Sequence, residues 1–348
     1  MSKLETANLQ NVSSGAPSFP QGMTVGGTDI TTLVSMTEYY EQAGEPSSPA
    51  NGAVWWTGSV MYQYAGGAWR IVNVSVPPPP FAGDRGLFGG GNDGSAQYNT
   101  IEYITISTAG NATDFGDLST TNFSFAACSN GSRGVFGGGY YNATTLNRIE
   151  NVTISTPGNA TNFGDLTVAR RYLSSCSDGT YGLFAGGVGL ASIDYITIAT
   201  TGNAVDFGDF SVNMFAATGC SGGGRGVFGG SVNSLETIEY VTIATPGNAT
   251  DFGDLTAGRP AAASCSDDSR GIFGGGASGS YVVSNVIDYI TISTPSNATD
   301  FGDLTVARNN LASCSNGPRG VFAGGTSNTN VIDYVTIATT GNATDFGD

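Results

Sequence analysis

Histidine is absent from this 348-residue chain. Its absence excludes Ser-His-Asp and Cys-His catalysis, His-ligated zinc or copper, and the side chain that ordinarily titrates near neutral pH. Lysine occurs once, as Lys3, and charged residues make up only 11% of the chain, under half of ordinary usage. The 12 basic residues stand against 28 acidic ones, a net charge of −16. That field repels phosphate backbones and anionic membrane surfaces, so neither nucleic acid nor membrane is expected as a partner. No apolar run reaches the length of a membrane-spanning helix. The opening MSKLETANLQ lacks the apolar core of a secretory signal, so Sec-dependent export is not expected. The five cysteines are odd in number and none forms a CxxC pair. Carboxylate and tyrosine chemistry stay open.

What the chain has in excess is glycine, 53 residues, about twice ordinary usage, and the glycines recur with a period. Arg-Gly-apolar-Phe-Gly/Ala-Gly begins at Arg85, Arg133, Tyr181, Arg225, Arg270 and Arg319, with Tyr181 the one departure from Arg. The spacings are 48, 48, 44, 45 and 49 residues. A second landmark, Ile-Glu/Asp-aromatic-Ile/Val-Thr-Ile, carries Glu102, Glu150, Asp194, Glu239, Asp288 and Asp333; Asn151 replaces the aromatic in the second copy. A third, Asn-Ala-x-Asp/Asn-Phe-Gly-Asp, centres on Phe115, Phe163, Phe207, Phe252, Phe301 and Phe346, Val205 preceding Asp206 in the third copy. A fourth ends in Cys128, Cys176, Cys220, Cys265 and Cys314. Each repeat reads as four short strands punctuated by Gly and Pro, with no helical period. Repeats of this length and strand number predict an all-β fold, a six-bladed β-propeller over residues 81–348. Small residues suit the inner strands, where blades converge, and Phe and Ile the outer ones.

The order of features resembles the Kelch family: a small-residue strand, a strand closed by Gly-Gly (Gly89-Gly90 through Gly324-Gly325), then a strand with Tyr (Tyr103, Tyr195, Tyr240, Tyr289, Tyr334). Phe of Phe-Gly-Asp stands where Kelch repeats have Trp. The resemblance implies a Kelch-like propeller. Closure is incomplete by arithmetic, because five Cys strands serve six blades and Pro77–Pro80 occupies the place of the sixth. Either a continuation past residue 348 or an N-terminal segment such as Trp69–Val76 is expected to complete the ring, with continuation favoured.

Residues 1–80 lack the repeat. Residues 1–44 read as an attachment or oligomerisation segment, and 45–76 as a small β-module. The module holds all three tryptophans and three short strands, Val54–Trp56, Val60–Tyr64 and Ala68–Val74. Residues 77–80 read as a stiff polyproline linker. The module from Pro49 through Trp69 and the opening with Gly22-Met-Thr-Val-Gly-Gly resemble tailed-phage, particularly marine cyanophage, fibre-like virion structural proteins, as do the Phe-Gly-Asp repeats. That resemblance implies attachment to other virion proteins through residues 1–76, an oligomer (a homotrimer favoured), and a propeller exposed on the particle exterior.

The repeated polar residues are weighed against structural roles. The cysteines read as buried small thiols rather than disulfides or metal ligands. The Ile-Glu/Asp carboxylates read as ion-pair partners of the neighbouring Arg-Gly arginines, rather than as a ligand ring. Asp-Phe-Gly-Asp reads as a turn held by Asx hydrogen bonds, rather than as a Ca²⁺ site. The Asn-Ala-Thr sequons at Asn111, Asn142, Asn159, Asn248, Asn297 and Asn342 read as turn chemistry rather than glycosylation sites. No cofactor and no metal is expected.

Loops on one propeller face are nearly constant between repeats, and those on the other vary. The variable loops carry Tyr98, Phe123, Tyr140, Tyr141, Arg171, Tyr172, Met214, Phe215, Tyr281 and Asn309, the candidate binding residues; neutral drift of unconstrained loops is the competing explanation. The expected function is a non-enzymatic virion appendage whose propeller binds a host-surface glycan or protein, or a virion partner. The alternatives are a carbohydrate-active enzyme and a cell-surface adhesin.

Overall fold

The computed structural model describes residues 83–232, 236–278, 282–326 and 329–348, together with the backbone of seven short strands between Thr24 and Ser75. The chain divides into two units, Met1–Pro77 and Pro78–Asp348. In the first, Tyr39–Glu41, Val54–Trp56, Met61–Ala65 and Ala68–Ile71 form one sheet, parallel at its first pair and antiparallel after it. Apart from such strands, the expected attachment segment 1–44 and the linker 77–80 lie outside the described residues.

The second unit is a six-bladed β-propeller with no helix among its described residues. Blades 2 to 6 each have four antiparallel strands in sequence order from the axis outward. Blade 4 is representative: Thr218–Gly222 (inner), Arg225–Gly229 (second), Thr237–Thr242 (third) and Thr250–Asp254 (outer). Blade 1 has three strands, Arg85–Asn92, Gln97–Thr105 and Thr113–Asp117. Its inner strand has no counterpart among the described residues.

The outer strand shows why Phe-Gly-Asp repeats. Register slips by one residue there in every blade, a β-bulge that turns the Phe ring inward. All six Phe rings are buried, and five stand edge-on to the Tyr of the third strand at 5.8–6.1 Å. The bulge glycines have φ of +140° to +159°, and a Cβ on Gly116 would meet the carbonyl of Gly158 in the next blade. The motif is therefore a bulged strand, not the Asx turn expected of it.

The sequon asparagines hold neighbouring blades together. Asn159 Oδ1 accepts from the Asp117 amide of the blade before it, and Asn248, Asn297 and Asn342 repeat the contact. Asn142 is different: with Ala143 it has positive φ at the tip of a small hairpin, Tyr140–Tyr141 against Thr144–Thr145. The blade-to-blade contact also runs from blade 6 to blade 1. The Ala112 amide donates to the Asp348 carbonyl at 2.9 Å, and Asp348 N–H to Asn111 Oδ1 at 3.3 Å. The ring thus closes through its outer strands, and the incompleteness read from the repeat count is confined to the inner position of blade 1.

The Arg-Gly arginines do not pair with the third-strand carboxylates, contrary to expectation. Each of the five lies over the third-strand Tyr of its own blade or, for Arg133, a Phe. Each donates to a main-chain carbonyl of the next blade, as Arg85 does to Ile154 at 2.8 Å and Arg319 to Ile106 at 2.8 Å. The carboxylates are taken by arginines of the inter-blade loops instead. Arg170–Asp194, Arg259–Asp288 and Arg308–Asp333 are buried pairs at 2.9, 2.6 and 2.8 Å. In blade 4, Met214 replaces that Arg, and Glu239 is held by the amide and hydroxyl of Ser211. In blade 2, Asn122 replaces it, and Glu150 pairs with Arg148.

The five cysteines are free thiols on the inner strands. Burial pushes Cys128, Cys220 and Cys314 up to about 12, and Cys176 and Cys265 well above the ordinary value. The thiolate is the nucleophile, so a water-soluble disulfide reagent at pH 8 is expected to leave the buried Cys176, Cys220 and Cys265 unlabelled in the folded chain, to modify the half-buried Cys128 and Cys314 slowly, and to modify all five thiols after unfolding. Rapid labelling of the folded chain would contradict this packing.

Candidate functional site

The two sets of variable loops meet residue by residue. The amide after each second strand donates to a carbonyl of the loop entering the same blade: Tyr140 to Phe123 at 2.9 Å, Val188 to Arg171 at 3.2 Å, Val232 to Phe215 at 2.9 Å, Ala277 to Pro260 at 2.9 Å, and Thr326 to Asn309 at 2.9 Å. Five pairs thus stand around one face, on rigid strand ends. Their chemistry is uneven. Blades 2, 3 and 4 contribute Phe123, Tyr140, Arg171, Tyr172 and Phe215; blades 5 and 6 contribute Pro260, Ala277, Asn309 and Thr326.

The aromatic sector is built by side-chain contacts between blades. Phe123 and Tyr140 meet edge-on at 5.4 Å. The Arg171 guanidinium of blade 3 lies over the Tyr140 ring of blade 2 at 4.2 Å. Tyr172 and Phe215 meet edge-on at 5.2 Å. Tyr141 is exposed beside this group. The loop backbones are pinned as well: Tyr172 has positive φ, donates to the Ser124 carbonyl and accepts from Ala216. Aromatic rings and an arginine held in this way offer large contact area at low entropic cost.

Four of the ten candidate residues fall outside this sector. Met214 is fully buried, in the core place that Arg170, Arg259 and Arg308 take in other blades, and presents nothing to a ligand. The physical reason is its position: this loop residue points into the blade, and the next one points out. Tyr98 is exposed, but its hydroxyl donates to Asp93 at 2.6 Å within its own hairpin. That hydrogen bond, with others from Ser95 and Ala96, holds the Asp93 carboxyl below the usual carboxylate range. Asn309 accepts from the Thr326 hydroxyl on the small polar side of the ring. Tyr281 lies outside the described residues.

Val188 and Val232, exposed on this face, were not among the candidates. A lone valine carries no chemical signal in sequence; its partnership with Arg171 or Phe215 shows only in the fold. On the opposite face, blades 2, 3, 5 and 6 share one turn, and blade 4 has Gly222-Gly223-Gly224 in its place. Asn130, Asp178, Asp267 and Asn316 each accept from the amide three residues on, one repeated Asx turn.

The carboxylates that repeat from blade to blade are structural in blades 2 to 6, engaged by Ser or Thr of the inter-blade loops. Among the described residues no group of three or more acidic or thiol side chains is arranged to hold a metal ion, and no helix is long and apolar enough to cross a membrane. The chain matches no protein-family model and no curated protein sequence.

Proposed function

We propose that this chain is a non-enzymatic appendage of a virus particle, attached through residues 1–76 as a homotrimer, with the propeller carrying a recognition face toward a host-surface glycan or protein. One observation carries the recognition role: among the described residues, the aromatic and arginine side chains in contact with one another on the variable face belong to blades 2 to 4, while the opposite face repeats one turn in blades 2, 3, 5 and 6. Drift alone has no reason to gather the rings on adjacent blades and to place an arginine over one of them. The virion assignment rests on the resemblance of the N-terminal module and the repeats to phage fibre-like proteins.

Immunogold labelling of purified virus particles with an antibody to the propeller is expected to mark a tail, neck or fibre. Label confined to cells or soluble fractions would overturn the appendage reading. For recognition, Tyr141→Ala and Arg171→Ala are each expected to weaken binding to host-cell envelopes about tenfold with little change in melting temperature. Unchanged binding by both variants would remove the face from the proposal, and release of reducing sugar from host polysaccharide would favour the enzyme.

A further inference from the structure

Among the described residues, the seam between blades 6 and 1 lacks one component that the other five seams share. Each of those is crossed by a twelve-residue segment: Leu118–Ser129, Leu166–Ser177, Phe210–Ser221, Leu255–Ser266 and Leu304–Ser315. The fifth residue is Arg in three of them, the seventh has positive φ in all, and the eleventh is always Cys. Among the described residues nothing plays this part between blades 6 and 1.

Among the described residues, the main contacts such a segment makes elsewhere have their receiving halves open here. At the start, the carbonyl of the fifth residue lies against the positive-φ glycine of the blade it leaves, as Arg308 does against Gly275; at Gly324 a Cβ would have nothing within 4 Å. Next, a Ser or Thr of the segment donates to the third-strand carboxylate of the blade it enters, as Thr305 does to Asp333 and Thr167 to Asp194. The counterpart in blade 1 is Glu102, exposed and with no partner among the described residues. The seventh residues form a chain of amide-to-carbonyl bonds around the axis, Asn310 to Ala261 to Ala216 to Tyr172 to Ser124. It ends at the Ser124 amide and the Asn310 carbonyl.

The inner strands repeat the pattern. The Ser315 hydroxyl donates to Ser266, Ser266 to Ser221, Ser221 to Ser177 and Ser177 to Ser129, at 2.6–2.9 Å. The Ser129 hydroxyl and the Ser315 carbonyl are the loose ends. Each inner-strand Cys sulfur caps a glycine of the following blade, as Cys220 does Gly271; over Gly134 there is no sulfur, only Leu87 and Val152 methyls at 3.4 Å. The edge of Arg85–Asn92 that faces the axis has no strand paired with it among the described residues.

We infer that this seam is an acceptor for one extended polypeptide segment of the repeat's own pattern, Leu-Ser/Thr-x-x-Arg, a positive-φ residue two further on, then Ser-Cys-Ser. The open groups specify it: a carboxylate for the Arg and Ser/Thr, a strand edge for its backbone, a serine on either side, and a bare glycine for the sulfur. The composition of residues 1–82 does not match that pattern. Pro77–Pro80 have no N–H to donate, and residues 1–82 contain no Cys and a single Arg, Arg70.

The test uses the full chain and a synthetic peptide with the sequence of Leu304–Ser315. Saturable one-to-one binding is expected, with a higher melting temperature and amide exchange at Gly86–Gly89 slowed at least about tenfold. Glu102→Ala in the protein, or Ala for the peptide's Arg, is expected to weaken binding about tenfold, and the two changes together to cost little more than either. A peptide with Trp for Cys is expected not to bind. Absence of saturable binding overturns the inference. Exchange that is already slow at Gly86–Gly89 in the free chain then assigns the edge to residues of the chain itself. Exchange that slows only as the protein concentration rises assigns it to a second copy.

Discussion

Asp194→Ala is expected to lower the stability of the propeller by about 3–5 kcal/mol, because it leaves a buried arginine without its counter-charge. Arg170 and Asp194 are both fully buried and 2.9 Å apart. Arg170 also donates to the Ser192 carbonyl at 2.7 Å and the Ser192 hydroxyl at 3.2 Å, and Asp194 accepts from the Thr167 amide and hydroxyl at 2.8 Å. Burial pulls the Arg170 guanidinium down from its ordinary value and the Asp194 charge pushes it back up; it stays protonated. In a domain of this size the loss corresponds to about 10 °C in melting temperature. Blade 4 supplies the control, since Met214 fills the same place without an Arg. Arg170→Met combined with Asp194→Ala is therefore expected to recover much of the loss, whereas independent contributions would make the double variant worse than either single one. Thermal unfolding of the four proteins decides between these outcomes, and an Asp194→Ala loss below about 1 kcal/mol would contradict the buried pair.

Gly271→Ala is the second substitution with a large expected effect. A Cβ at Gly271 would lie 2.6 Å from Cys220 Sγ and 3.3 Å from Ile290 Cγ1. The sulfur is buried between blades on a strand bonded along its length to the next, and it has no room to retreat. Overpacking of this kind costs about 1–3 kcal/mol, occasionally more. Replacing Cys220 by Ala as well removes the clashing atom, and the double variant is expected to regain most of the stability. The same cycle at Gly226 and Cys176 should behave alike, since that glycine lies at the same distance from its sulfur. Additive losses in either cycle would show that the glycine is needed for its backbone freedom, not for the space it leaves.

The repeat period alone determined the fold class, the number of blades and the strand order, because each blade must bury the same faces against its neighbours. It determined as well that small residues and Cys line the inner strands. Polar partnerships were decided only in three dimensions. Arg85 and Arg133 reach main-chain carbonyls of the next blade, while Asp194 and Asp333 are met by Arg170 and Arg308 from loops that separate strands. A guanidinium with five donors finds carbonyls as readily as carboxylates, so spacing along the chain does not choose between them. The bulge at Phe-Gly-Asp was hidden for a similar reason: one residue of register slip leaves no mark in composition.

The candidate face shows the same division. Sequence separated constant loops from variable ones and found most of its aromatic residues. It did not distinguish Met214 from Phe215, adjacent residues that point into and out of the blade, nor pair Phe215 with Val232 or Arg171 with Tyr140. A loop residue's direction depends on the backbone geometry that joins two blades, and that geometry exists only once the ring has formed.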